Sequence, residues 1–305
     1  MIVMGRDLNE FKLFLQGCGL SDNSIRAYIA DCKKFLDYAE SLDKLNKEVD
    51  LTSFNKLCEE YITSIREDNK SKNSSKNRTY STIRKFIEYL STKDNSIRKY
   101  HYEFNNIHYI RKFHHNILSI REINLLFSYF DEKIKNSKTI KSIIKNKRNK
   151  FIFTIILHTG IRPAELVEIK WEDINFELNT ININHGVNNS NRTIKINNKL
   201  IDELLKYKLD YTTLYNCDKK YSYLIPGYTP FDKLTTKTIR HISQDINKAN
   251  IISKEISPIS LRHTMVYWAL RNNVDLLKLS QDLGHKHLNS TEELYEKLLK
   301  DLKIR

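Results

Sequence analysis

Glycine and proline are scarce, with seven and four in 305 residues. With so little turn punctuation the chain should form long helices, and the fold should be mostly α. Cysteine is also sparse: Cys18, Cys32, Cys58 and Cys217 are widely spaced and form no C-x-x-C, which argues against a disulfide framework or a zinc ribbon. No run approaches the roughly 18 apolar residues of a spanning helix. Residues Met1 to Asp7 contain no basic segment leading into an apolar one, so a cytoplasmic protein with reduced thiols is expected. On that expectation acceptor triplets such as Asn77-Arg78-Thr79 are accidental. Positive charge is what the chain has in excess. Against 37 Asp+Glu stand 51 Lys+Arg, a formal charge of +14, and such a surplus calls for an anionic partner, either nucleic acid or a membrane surface. A 40% hydrophobic content with 10% aromatics is too high for a disordered polyelectrolyte. At roughly 150 residues per domain, the length suggests two domains.

Apolar residues recur at helical spacing through Phe11/Phe14/Leu15 and Tyr28/Phe35/Leu36/Tyr38, and the stretch Gly17 to Ser24 breaks them into a helix hairpin. Further helices are expected over Leu51 to Arg66 and, after a polar stretch from Asp68 to Asn77, over Tyr80 to Leu90. This gives a four-helix first domain, residues 1–95. Residues 96–116 show neither period and carry repeated positive charge, as an interdomain linker would. A second domain, 117–305, opens with helices at Ile117 to Phe130 and Lys150 to His158, separated by a basic stretch from Lys138 to Lys150. Period-two alternation at Thr180 to Asn184 and Thr193 to Asn197, around the loop Gly186 to Asn191, predicts a β-hairpin. Helices then resume near Lys199, Thr235, Ile259, Val274 and Thr291.

Three segments carry chemistry. In Thr159-Gly160-Ile161-Arg162-Pro163-Ala164-Glu165-Leu166, a helix stops at Gly160 and Pro163 suits the first turn of the next, which places Arg162 near a helix N-terminus as an anion site. Taken alone, Arg162 and Glu165 read first as an i,i+3 ion pair. In Ser257-Pro258-Ile259-Ser260-Leu261-Arg262-His263-Thr264, Ser257 is an N-cap and Arg262 shares a face with Ile259 and Val266; by itself it reads as an arginine snorkelling to solvent. The third segment is an amphipathic helix closed by Gly284, followed by His285 and, further on, Tyr295.

The order of these segments resembles the tyrosine recombinases, the family of phage integrases and Xer-type resolvases. Residues 159–166 look like its T-G-x-R-x-x-E-L box, Leu261-Arg262-His263-Thr264 like the L-R-H-T core of its second box, and Leu283-Gly284-His285 with Thr291 and Tyr295 like L-G-H…T-x-x-x-Y. Ser21 to Phe35 and Ser75 to Phe86 are similar to the two ends of its N-terminal core-binding domain. The resemblance implies a mainly α fold with a small β-hairpin or sheet: a helical, SAM-like core-binding domain followed by an α+β catalytic domain. The implied activity is site-specific cleavage and rejoining of double-stranded DNA through a 3′-phosphotyrosyl intermediate, by a homo-tetramer assembled on DNA, with no cofactor and no metal. Tyr295 would be the nucleophile. Arg162 and Arg262 would hold the phosphate, His285 would donate to it, and Glu165 would orient its neighbours. The His285-x-His287 pair then reads as one catalytic and one surface histidine rather than a metal site.

The sequence departs from the family pattern at two positions. The family usually has a histidine where Ile259 stands, and aligning Gly186 and Arg192 with the family's G-x-x-x-x-x-R puts Ser190 where a lysine general acid is expected. Arg192 cannot release a proton near neutral pH. Lys195 is the candidate substitute acid and His263 the candidate substitute for the missing histidine. The departures leave open an alternative, a catalytically impaired DNA-binding protein retaining the recombinase fold. Arg26, Lys76, Arg78, Arg84 and Lys85 are the candidate DNA-binding residues of the first domain. Binding to duplex DNA is expected to weaken by about 10³–10⁵ between 50 and 200 mM salt, as for roughly six to ten phosphate contacts, and filter binding across that range checks it.

Overall fold

The computed structural model describes residues 2–5, 7–93, 97, 116–184, 191–215, 222–227, 229 and 231–284. The chain divides into two compact units, Met1–Lys112 and Phe113–Arg305.

In the first unit α1 (Asn9–Gly17), α2 (Asp22–Ser41), α3 (Leu51–Glu67) and α4 (Asn73–Lys93) enclose a core containing Phe11, Phe35, Phe54, Tyr80 and Phe86, all nearly inaccessible to solvent. Phe11 meets Phe86 edge-on at 5.2 Å and Phe35 meets Tyr61 at 5.2 Å, the arrangement that ring quadrupoles favour. A two-residue ribbon pairs β1 (Ile2–Val3) antiparallel to β2 (Glu48–Val49). Local chemistry sets the helix starts: the Ser21 hydroxyl accepts the Ser24 N–H at 3.3 Å and the Asp50 carboxylate accepts that of Ser53 at 2.9 Å.

One expectation fails here. The polar stretch ahead of Tyr80 is a loop only over 68–72, because α4 begins at Asn73. Its sequence lacks an apolar stripe, yet Lys76 and Thr79 turn inward and are buried, so packing overrides the pattern.

The second unit is built around α6 (Ile140–Thr159), whose later half, Phe151, Ile152, Phe153, Ile155 and Ile156, is buried on all sides. Helix α5 (Ile120–Lys135) starts at Ser119 with a capping box: the Glu122 N–H donates to Ser119 Oγ, and the Ser119 N–H donates to Glu122 Oε2. The basic stretch expected to separate two helices is instead the first half of α6. Lys150 Nζ meets Asp131 of α5 at 2.6 Å, Lys147 Nζ meets Asp210 at 2.5 Å, and Arg148 donates to the Pro226 carbonyl at 2.9 Å. Asp210 lies on α8 (Asn198–Tyr215). Partners on neighbouring elements thus hold a segment whose own composition shows no helical period.

A short helix α7 (Pro163–Leu166) and a 3-10 turn (Trp171–Asp173) lead into an antiparallel sheet ordered β3 (Ile174–Asn175), β4 (Thr180–Ile183) and β5 (Arg192–Lys195). The hairpin was legible in the alternation; β3, only two residues long, was not. Ile181 faces Ile194 and Ile183 faces Arg192, so the buried face of the sheet carries Ile181, Ile183, Ile194 and Arg192. Helices α9 (Thr236–Lys248), α10 (Pro258–Arg271) and α11 (Leu276–Asp282) complete the described part of the unit. The helix expected near Thr291 lies outside the described residues. Among the described residues no helix is long and apolar enough to cross a membrane.

Helix α6 ends at Gly160, with φ at +62°. A Cβ there would sit 2.3 Å from Met265 Cε and 2.8 Å from Leu283 Cδ2. Gly160→Ala is therefore expected to cost about 1–3 kcal/mol, combining left-handed backbone strain with overpacking, read as a lower denaturation midpoint at unchanged slope.

Candidate active site

The junction between α6 and α7 turns on a buried carboxylate. Arg162, in extended conformation with ψ at 143°, precedes Pro163 at the first position of α7, so Glu165 falls one turn later and folds back. Its side chain is inaccessible to solvent and meets four donors: the Arg162 N–H at 3.0 Å, Arg162 Nη1 at 3.1 Å, and Arg192 Nη1 and Nη2 at 3.0 and 2.9 Å. Those four bonds fill the acceptor sites of an ionised carboxylate. Burial alone would raise the Glu165 pKa. The Arg192 hydrogen bonds, the Arg162 N–H and the two guanidinium charges outweigh it and hold the group below the usual carboxylate range.

A third guanidinium arrives from α10. Ser257 caps that helix by accepting the Ser260 N–H at 3.1 Å, and Pro258 follows at the first position, which sets Arg262 in the second turn. Arg262 is 9% exposed; its Nη1 donates to the Gly160 carbonyl and its Nη2 to the Leu283 carbonyl at 2.9 Å. Arg162 Nη1 donates to that same Leu283 carbonyl at 3.0 Å and its Nη2 to Gly284 O at 3.4 Å, while Arg192 Nε donates to Asp282 O at 2.7 Å. Three arginines from three elements therefore satisfy the carbonyl end of α11, whose last groups have no partners within the helix. Burial, and then the neighbouring Arg162 charge, pull Arg262 down to about 9, so it remains charged at neutral pH. Three cations around one carboxylate leave a net positive centre that an anion would relieve. Arg162 and Arg262 open onto a cleft of about 700 Å³, bordered also by Ile259 and His263 and by Arg240 and Gln244 of α9.

Of the residues singled out in the sequence, the fold brings Arg162, Glu165 and Arg262 together, and His263 lines the same cleft. Ile259 stands at that cleft with 64% of its surface exposed. His285, Tyr295 and Ser190 lie outside the described residues. Lys195 is not brought in: three positions along β5 from Arg192, it projects from the opposite face, opposite Thr180, and is exposed. In the first unit Lys76 needs correction as a DNA-facing residue, since it is 5% exposed and its Nζ donates at 2.8 Å to the Arg66 carbonyl in the last turn of α3. Arg78 grips the buried Asp31 through two bonds of 2.7 and 3.0 Å, and Lys85 pairs with Glu88 at 2.7 Å. Arg26 is exposed and Arg84 half-buried. Arg192 had a place in the sequence reading only as an alignment anchor, and its two-pronged grip on Glu165 was missed. Its position on the buried face of the hairpin was the available signal.

The profile of the phage integrase family matches residues 121–301, and that of the phage integrase N-terminal SAM-like domain matches residues 8–94. The chain belongs to the phage integrase family. It is a tyrosine recombinase. The tyrosine recombinase XerA of Pyrococcus horikoshii is 27% identical over 271 residues, covering 79% of this chain and 89% of the relative. XerC of Staphylococcus aureus is 26% identical over 273 residues, covering 89% and 85%. Among solved structures, the recombinase superposes on a XerH site-specific recombinase bound to a palindromic difH substrate with a TM-score of 0.67 at 18% identity, over 96% of this chain and 83% of that one. A lambda integrase dimer bound to a core site gives 0.64 at 14% identity, over 94% and 93%. The shared fold is mostly helical with a small antiparallel sheet. Membership does not favour the alternative of a DNA-binding protein without catalysis.

Because the Glu165 pKa is lowered on folding, its charge stabilises the recombinase above the unfolded value of about 4.3, and that contribution disappears as pH falls through the lower native value. Glu165→Gln is expected to lower stability by roughly 3–5 kcal/mol near pH 7. In thermal melts the gap between the two proteins should shrink below about pH 4.

Proposed function

We propose that the recombinase binds double-stranded DNA and exchanges strands at specific sites, with Arg162 and Arg262 clamping the scissile phosphate and Tyr295 attacking it. The observation that carries this reading is the convergence of two guanidinium groups, fixed by Glu165 and by backbone carbonyls, on one cleft. Attack builds negative charge on the non-bridging oxygens, and donors already held by Glu165 and the backbone carbonyls stabilise it without reorganising. The Tyr295 oxygen forms a bond to phosphorus while the bond to the 5′-oxygen breaks. That oxygen takes up a proton, balancing the one that the Tyr295 hydroxyl gives up, and departs as a 5′-hydroxyl. The 3′-phosphotyrosyl bond conserves the phosphoester, so a 5′-hydroxyl of another strand can reverse the step without an external energy source. His285 would supply a further donor to the phosphate, with His263 as the imidazole beside Arg262. Strand exchange between two duplexes requires four cleavages, which is the basis for a tetramer assembled on DNA. Of the candidates in the first unit, Arg26 is exposed and Arg84 half-buried, and both would face the phosphate backbone; Arg78 is paired with Asp31, Lys85 with Glu88, and Lys76 is committed to the fold.

The test uses a duplex selected from a random-sequence pool for binding, then nicked so that cleavage traps the protein. Covalent attachment is expected with the native chain and lost in Tyr295→Phe at unchanged DNA affinity. Arg162→Ala and Arg262→Ala should each slow attachment by about 10²–10³. An adduct that persists in Tyr295→Phe reassigns the nucleophile.

A further inference from the structure

Arg192 has no part in the chemistry just described, yet it makes three hydrogen bonds to the groups that frame the arginine cluster. Its side chain is 9% exposed, and among the described residues its hydrogen bonds are directed inward: two to Glu165 and one to the Asp282 carbonyl. The backbone passes against the guanidinium at Gly284, φ +62°, where a Cβ would lie 2.7 Å from Nη1 and 2.9 Å from Cζ. The hairpin register aims Arg192 there, since it faces Ile183 on the buried side of the sheet.

We propose that Arg192 is a positioning residue for strand cleavage: it neutralises Glu165 and holds the end of α11, so that Arg162 keeps its charge for the phosphate. The proposal rests on the reading of Arg162 and Arg262 as the phosphate clamp. The physical reason is a count of charges in a poorly solvated space. With Arg192 present, Glu165 has a full cationic partner other than Arg162. Without it, Arg162 is the hydrogen-bonded cation that the buried carboxylate keeps among the described residues, drawing that guanidinium inward and cancelling its charge where low dielectric makes the cancellation most effective. The Asp282 carbonyl also loses its donor, loosening the segment whose next two carbonyls fix Arg162 and Arg262.

A purely architectural ion pair and a positioning device predict different couplings. The rate of covalent attachment is measured at saturating DNA, on the selected duplex carrying sulfur in place of the bridging 5′-oxygen, so that leaving-group protonation does not limit it. Arg192→Gln should slow attachment by about 10–100-fold, the scale of outer partners at charged centres, with DNA affinity within about threefold of native. In a Glu165→Gln background the same substitution should cost at least about threefold less, because no carboxylate remains to capture Arg162 and only the lost Asp282 contact persists. Arg192→Lys, which keeps the charge without the fork, should fall between native and Arg192→Gln, and it replaces Arg192→Gln in the cycle, under the same criterion, if that variant does not fold. An equal penalty in both backgrounds, or folded Arg192 variants that attach at the native rate, overturns the proposal. Failure of the native protein to attach, or native rates in Arg162→Ala, overturns the phosphate-clamp reading itself and this proposal with it.

Discussion

The second unit depends on an ion that should not be buried. Taking a carboxylate out of water costs several kcal/mol even after relaxation, and only a complete set of donors in good geometry offsets it. Glu165 has that set, drawn from the backbone of one element and the guanidinium groups of two. The requirement propagates outward. The chain must reverse at Gly160 so that Arg162 can precede Pro163, and the hairpin must keep the register that puts Arg192 on its buried face. Shifting β5 by one residue would send Arg192 to solvent and leave the carboxylate half-satisfied.

The second constraint is the carbonyl end of α11. A helix leaves its last carbonyl groups unpaired, and here arginines from α10, β5 and the α6–α7 junction supply the missing donors. Each guanidinium thereby splits its bonds between the fold and the charge it carries. A side chain that would otherwise sample many rotamers is held in one, which is the precondition for electrostatic stabilisation without reorganisation. Glu165 also helps the cluster tolerate like charges at close range: burial chiefly depresses Arg262, and the carboxylate offsets part of the repulsion that Arg162 and Arg192 add.

How much of this was legible in the sequence depended on distance along the chain. Arg162, Glu165 and Arg262 were readable because each sits beside its own local signal, Gly160 and Pro163 in one case and Ser257 with Pro258 in the other. Arg192 and Lys195 differ only in strand parity and in which residue, 27 positions earlier in the first case, waits for the side chain; composition around them does not tell them apart. Lys76 looks like any surface lysine until α3 ends beside it and offers the Arg66 carbonyl. The first half of α6 reads as a charged linker because the acids that match it, Asp131 and Asp210, belong to other helices.

Ile259 is the position where the sequence departs most visibly from its family, and its surroundings bear on what that means. A residue forced to be apolar by packing would be buried; Ile259 is 64% exposed and borders the cleft, so nothing in the core requires an aliphatic side chain there. Its neighbour one turn on, His263, borders the same cleft, since residues four apart share a helix face. The arginine frame below them is held by Glu165, Gly160 and the end of α11, none of which involves residue 259. Exchanging an imidazole for a sec-butyl group at that position therefore removes one donor from the rim of the site without disturbing the charges beneath it, and His263 is the imidazole that α10 still presents beside Arg262.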